Sequence, residues 1–429
     1  MSKKKQFALR LSVIAVGLAC AAPAMAGDWQ FSGFGTLGAT YFSRGDADFT
    51  GGAGMQSGVG RSGRLGLAPE TRGAVQLRYE PIDRLTFTVQ AVSKLTPRDN
   101  WTPSIEWANV KYQFNDTYAL RLGRIGHPFF MMSDYVNARY AQIALRPAQE
   151  VYGQSASFSH SEVAELLANW DVSDGMLSFQ GGFGQAKADT VPSMPAVRNH
   201  DTAEVKKIAY VNLNYETGPW TLRAGYTHGN LTFVPLLAER ELFDTMTNLS
   251  ILTGSPVPQQ IRERFETKDQ STGFFGIGAN YDDGTWVANA EYVQVSVGKG
   301  YNSSRGWALL AGRRFGQFTP YVRYSESSTI DRIMADGVAD QLTPFIGVQR
   351  ATVAQATIQA VLDATATKDQ RTFSVGTRWD FRKNMALKAQ YDYVMPQFPS
   401  KNGYLVNVAP SYPPQGKGHA AAVSLDFIF

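Results

Sequence analysis

The sequence predicts an all-β fold, a 16-stranded antiparallel transmembrane β-barrel, and three observations predict it. The chain opens with an export leader, its body alternates apolar and polar residues with a period of two, and short turns alternate with long loops.

The leader comes first. "MSKKKQFALRLSVIAVGLACAAPAMAGDW" has a basic head (Lys3, Lys4, Lys5, Arg10), a short apolar middle and a small-x-small exit at Ala24-Met25-Ala26. That pattern is a secretory signal peptide over 1–26 with cleavage after Ala26, which leaves 27–429 as one barrel domain. The apolar run is short for a membrane anchor, which needs roughly 20 residues. A lipoprotein reading around Cys20 meets Gly17 where the lipidation motif usually carries Leu. Cleavage removes four of the 41 basic residues and none of the 37 acidic ones, so the formal +4 belongs to the leader. The mature chain is balanced and has no long basic stretch, which argues against a nucleic-acid partner. Its only cysteine, Cys20, leaves with the leader, so stability in an oxidising compartment must come without disulfides.

The periodicity follows. No stretch after residue 26 approaches 18 consecutive apolar residues, which excludes helical spans. In "RTFSVGTRWDFRKNMALKAQYDYVM", Phe373, Val375, Thr377, Trp379 and Phe381 alternate with Thr372, Ser374, Gly376, Arg378, Asp380 and Arg382, and after Lys383-Asn384, Met385, Leu387, Ala389, Tyr391, Tyr393 and Met395 alternate with Ala386, Lys388, Gln390, Asp392 and Val394. One face is greasy with aromatic ends and the other carries charge, as expected where lipid meets one face and water the other. At the C-terminus Phe429, Phe427, Leu425, Val423 and Ala421 share one side of an extended strand.

The same unit recurs around seven reversals: Pro81-Ile82-Asp83, Asn115-Asp116, Ser173-Asp174-Gly175, Thr217-Gly218-Pro219, Asp282-Asp283-Gly284, Gly316-Gln317 and Lys383-Asn384. Adding "DWQFSGFGTLGATYF" and "GHAAAVSLDFIF" gives sixteen strands, an even number that lets the ends pair. Between hairpins run longer segments, roughly 43–70, 96–103, 128–157, 187–202, 233–270, 298–305, 329–370 and 396–417. The fifth ("LLAERELFDTMTNL") and seventh ("QRATVAQATIQAVLDATA") have helix-forming composition. A soluble sandwich of sixteen strands would not explain why outward aromatics gather near strand ends.

This layout, with the "SLDFIF" ending, resembles a Gram-negative outer-membrane porin of the 16-stranded general-diffusion type over residues 27–429. The resemblance implies passive diffusion of small hydrophilic solutes and ions through a multi-pass barrel in the outer membrane, among its lipid and lipopolysaccharide. It also implies a homotrimer, insertion by the outer-membrane assembly machinery through the last strand with Phe427 and Phe429 as the signal, and a third external loop folded into the lumen.

Parity assigns lumen faces. Basic candidates are Arg78, Lys94, Lys111, Arg121, Arg223, Arg323, Arg378 and Lys388, with Asn109 beside them; acidic candidates are Glu165, Glu291, Asp380, Asp392 and Asp426. An inward charge lives in water, whereas an outward one costs roughly 2–4 kcal/mol at mid-bilayer. The modest basic excess predicts a slight anion preference. The third loop, "HPFFMMSDYVNARYAQIALRPAQEVYG", lacks the Pro-Glu-Phe-Gly-type tip of the best-known porins and offers Asp134, Arg139, Arg146 and Glu150. These charges either oppose the wall arginines and set up a transverse field, or, for Arg146 and Glu150, fasten the loop to the wall by salt bridges. Phe129, Phe130, Met131 and Met132 read as packing rather than gate.

Rival functions find less support. His127, His160, His200, His228 and His419 lie in no spacing that assembles a nucleophile, base and acid, and "SHS" around His160 reads as a polar strand end. A substrate-specific channel for sugars, phosphate or organic acids is the main alternative, although Trp107 and Tyr321 are too few inward aromatics for a sugar slide. No metal-ligand, phosphate-loop or cofactor motif stands out, so no cofactor is expected.

Overall fold

The computed structural model describes residues 28–52, 54–155, 158–190, 201–233, 237–366 and 368–429, so the leader lies outside the described residues. Sixteen long strands follow one another in the chain: β1 Asp28–Phe42, β2 Arg72–Ile82, β3 Leu85–Lys94, β4 Ser104–Gln113, β5 Tyr118–Gly126, β6 His160–Val172, β7 Gly175–Thr190 and β8 Asp201–Thr217. The second half comprises β9 Trp220–Phe233, β10 Gln270–Asp282, β11 Trp286–Val297, β12 Ser303–Arg313, β13 Phe318–Asp331, β14 Gln370–Arg382, β15 Met385–Pro396 and β16 Gly418–Ile428. Each pairs antiparallel with its neighbours in sequence, and β1 pairs with β2 on one edge and with β16 on the other. The sheet therefore closes, which leaves no open edge to be satisfied in lipid.

Closure depends on the chain end. Phe34 faces Ile428 in the β1–β16 register, and Phe429 exchanges two backbone hydrogen bonds with Gly33, at 2.9 and 3.0 Å. A Cβ on Gly33 would overlap the Phe429 ring, and one on Gly35 would overlap the Phe427 ring. The two glycines give the terminal aromatics their seats. The girdle expected at the turn end is present as paired rings, among them Trp29–Tyr79 at 4.0 Å, Trp220–Tyr281 at 4.8 Å and Phe318–Trp379 at 5.4 Å.

Burial alternates as parity requires. On β14 and β15 the inward Ser374, Arg378, Lys388, Gln390 and Asp392 are buried while the outward Phe373, Val375, Trp379, Leu387 and Tyr391 are exposed. The first reversal differs from expectation: Pro81 and Ile82 finish β2, and Asp83-Arg84 turns the chain, with Arg84 at φ +70°. A wide loop over 187–202 is also too generous, because β7 runs on to Thr190 and β8 starts at Asp201.

The expected helices in the fifth and seventh loops are present, and each has a companion. After a single turn in the third loop (α1, Gln149–Tyr152) come α2 Leu237–Thr253, α3 Val257–Arg264, α4 Val338–Ile346 and α5 Val348–Ala366. Gly254 and Gly347, at φ +68° and +78°, end α2 and α4 where the left-handed region suits glycine. Phe243, Met246, Ile261, Phe265, Val338, Leu342, Ala351 and Ile358 form a joint core, so the two loops build one external cap. The intervening sixth loop supports it through Asn302, whose Oδ1 accepts from the Ile333 N–H at 2.7 Å. Leu342→Ala is expected to cost the cap about 2–5 kcal/mol. Limited proteolysis should then cut the fifth and seventh loops faster while the barrel still migrates as a folded species.

Candidate functional site

The site is built where the third loop, described over 127–155, passes inside the barrel. Its first segment packs on the wall. Phe129 stacks on Phe274 at 4.2 Å, Phe130 is buried against Phe274 and Tyr152, and Glu291 accepts from the Met131 N–H and the Tyr152 hydroxyl, both at 2.8 Å. Gly276 and Gly278 on β10 leave room for the Phe129 carbonyl and the Met131 side chain. The Phe-Phe-Met run is packing, as its composition suggested.

The middle segment is held through its backbone. Arg378 donates to the carbonyls of Tyr140 and Gln142 at 2.5 and 3.0 Å, and Lys388 to those of Arg139 and Ala144 at 2.6 and 3.3 Å. Arg323 donates to the Arg146 carbonyl at 2.6 Å, while the Leu145 N–H is shared by Tyr321 Oη and Gln390 Oε1 at 3.1 and 3.2 Å. These wall cations satisfy carbonyls that a non-helical segment would otherwise bury unpaired. Carboxylates balance their charge: Asp380 lies 2.7 Å from Arg378 and Asp426 2.9 Å from Lys388.

Two loop side chains complete the clamp. Arg146 reaches Asp392 at 2.5 Å and Glu70 at 2.8 Å and lies over the Phe49 ring. Glu150 accepts from Ser325 and the Gln370 amide, both at 2.7 Å, and from the Thr372 hydroxyl. The first and eighth loops close over this clamp, with Gln149 donating to the Gly52 carbonyl at 2.9 Å and Gln154 to Tyr404 Oη at 3.1 Å.

The candidate residues therefore fall into two groups. Arg139, Arg146, Glu150, Arg323, Arg378 and Lys388 come together beneath the loop at 1–8% exposure, rather than standing free in the lumen. Of the four loop charges only Asp134 is exposed, within electrostatic range of Arg223 on β9. Arg78, Lys111 and Arg121 lie on the inward faces of β2, β4 and β5 toward the turn end, with β3 between the first two strands. Arg78 pairs with Glu80, and Arg121 pairs with Glu165 while lying over the Trp107 ring.

Glu106 and Glu70, which pair with cations around the third loop, are among the acidic residues that escaped the sequence reading. Glu106 is buried at 3% exposure beside Lys94 (3.7 Å) and His160 (3.6 Å), although strict alternation points it outward. The β3–β4 register shifts between Gln90 and Ala91, and that bulge turns Glu106 inward. Glu70 lies just before β2 in the first loop, where no periodicity marks it.

The sequence profile of the Gram-negative porin family matches residues 11–396. Among solved structures, the outer membrane channel DcaP of Acinetobacter baumannii is similar at 12% identity, covering 96% of this chain and 100% of that one with a TM-score of 0.52. An anion-selective porin from Comamonas acidovorans is similar at 12% identity, with coverage of 94% and 100% and a TM-score of 0.51. At this identity both similarities show the fold alone. No curated protein sequence matches the chain significantly. A closed barrel with a polar interior, matched to this profile over nearly its whole length, is an outer-membrane channel for passive diffusion, and the chain belongs to the Gram-negative porin family.

Proposed function

We propose that the third loop is the constriction of this channel, and that solutes pass between its exposed face at Asp134 and the wall of β2 to β5. The observation that carries this reading is the clamp: Arg323, Arg378 and Lys388 hold loop carbonyls while Arg146 and Glu150 are satisfied by the wall. Charges so committed contribute little to a transverse field at the solute. On the basic ladder Arg78 is paired with Glu80 and Arg121 with Glu165, so the uncommitted charge is that of Lys111, which gives a slight anion preference. In planar bilayers the wild-type reversal potential is expected to favour chloride over potassium, and clear cation selectivity would overturn this assignment. Lys111→Gln, which removes the ladder charge without a carboxylate pair, is expected to lower the chloride-to-potassium permeability ratio by roughly twofold.

Family membership and the leader pattern support the rest of the reading. The chain works as a homotrimer in outer-membrane lipid and lipopolysaccharide, delivered after cleavage of its leader and inserted by the assembly machinery that reads Phe427 and Phe429. It uses no cofactor and carries out no catalysis. Zymography of purified protein checks the last point, and hydrolysis tracking with the barrel would contradict it. A substrate-specific channel remains the second reading, favoured by the first and eighth loops packed against the third, and saturable competition by one solute class would mark it.

A further inference from the structure

The cations around the third loop divide into two sets. Arg146, Arg323, Arg378 and Lys388 each have a carboxylate within 3.8 Å. Arg72 and Arg139 have none among the described residues, and neither has Arg223, which donates to the Pro128 carbonyl at 2.8 Å. Arg72 donates to the carbonyls of Glu70 and Pro69 at 3.3 and 3.4 Å. Arg139 donates to the Val136 carbonyl and the Gln142 side chain, both at 3.2 Å, and its Nε has no acceptor although the residue is only 5% exposed.

These two arginines share a neighbour. Arg72 faces Lys94 directly in the β2–β3 register, at the loop end of both strands, and Arg139 lies within electrostatic range of both. Like charges directly opposite on a sheet repel. The Lys94 ammonium lies 3.1 Å from Asn137 Oδ1 and 3.7 Å from Glu106, a carboxylate that also serves His160. The other nearby carboxylates are engaged elsewhere, Glu70 by Arg146 at 2.8 Å and Asp426 by Lys388 at 2.9 Å. Glu106 is thus the one carboxylate among the described residues within 4 Å of any of these three cations, and Arg72 and Arg139 meet Glu70 and Asp426 only at longer electrostatic range.

We propose that Arg72, Lys94 and Arg139 form a docking station for a small oxyanion, the carboxylate or phosphate group of a passing solute. Guanidinium forks match the planar geometry of such groups and an ammonium adds a point charge. Bound there, an anion relieves the repulsion between Arg72 and Lys94 and is concentrated ahead of the constriction. The proposal rests on the channel reading, and its test separates the two.

The test is chloride current through the reconstituted protein, titrated at constant ionic strength with inorganic phosphate in one arm and malonate in the other. Depression of the current by either anion supports the station and tells which oxyanion it prefers. Arg72→Gln and Lys94→Gln are each expected to raise the half-blocking concentration about tenfold, the effect of one charge-assisted hydrogen bond. Arg139→Gln also removes a support of the loop, so the two half-buried wall residues carry the test. Normal chloride conductance with an unchanged half-blocking concentration in both wall variants would overturn the station alone. Absence of any current would overturn the channel reading and the station with it.

Discussion

Deletion of Phe429 is expected to leave only a minor fraction of the protein as assembled barrel. The deletion removes two backbone hydrogen bonds to Gly33 and a ring that lies 6.0 Å from Phe31 and 6.5 Å from Phe427. Two such bonds are worth about 2 kcal/mol net, or roughly 30-fold in the closing equilibrium, before any loss of recognition by the assembly machinery. The bonds sit at the seam, where β16 must find β1 before the sheet has a closed edge. Gly35→Val is expected to mimic the deletion, because its side chain would occupy the seat of the Phe427 ring. Gel migration of heated and unheated outer-membrane fractions measures the folded share. Wild-type assembly in both variants would show that the seam does not depend on the terminal aromatics.

Arg146→Ala is expected to release the third loop. The change leaves Glu70 and Asp392 buried at 1–2% exposure with their shared cation gone, a loss of about 3–5 kcal/mol for a buried pair of this kind. The Arg323 and Gln390 contacts at the Arg146 and Leu145 backbone remain, so the barrel should still fold while the loop samples detached states. Single-channel records should show larger and noisier openings. Combining Arg146→Met with Glu70→Gln and Asp392→Asn removes the uncompensated charge and is expected to restore much of the quiet conductance. Unchanged conductance and noise in Arg146→Ala would mean that the salt bridges do not hold the loop.

The sequence made the barrel legible because its cause is local. Each residue of β14 to β16 meets either lipid or the interior, and that alternation is written in neighbouring letters such as Trp379-Asp380 or Leu387-Lys388. The helices of the fifth and seventh loops were legible by composition, but α3 and α4 were not, since only packing against α2 and α5 gives their short apolar faces a purpose. Parity found Arg78, Arg323, Arg378 and Lys388 on regular stretches, passed over Arg72 at the loop end of β2, and misassigned Glu106 where a bulge breaks the alternation. What the inward cations touch was harder to read. Arg323, Arg378 and Lys388 bond to carbonyls, and a carbonyl has no residue type to recognise. The Arg146–Asp392 pair is separated by 246 positions, so only the closed fold brings the two together.

Alternation of hydrocarbon and water along each strand is the claim on which the channel rests, and spin labels on β2 test it most directly. Single nitroxides at residues 75 to 80 would be scanned for collision with oxygen, which partitions into lipid, and with a nickel chelate, which stays in water. The expected result is a period of two, with oxygen maxima at Val75, Leu77 and Tyr79 and nickel maxima at Gln76, Arg78 and Glu80. Equal nickel access at all six positions, or a period near 3.6, would contradict the account.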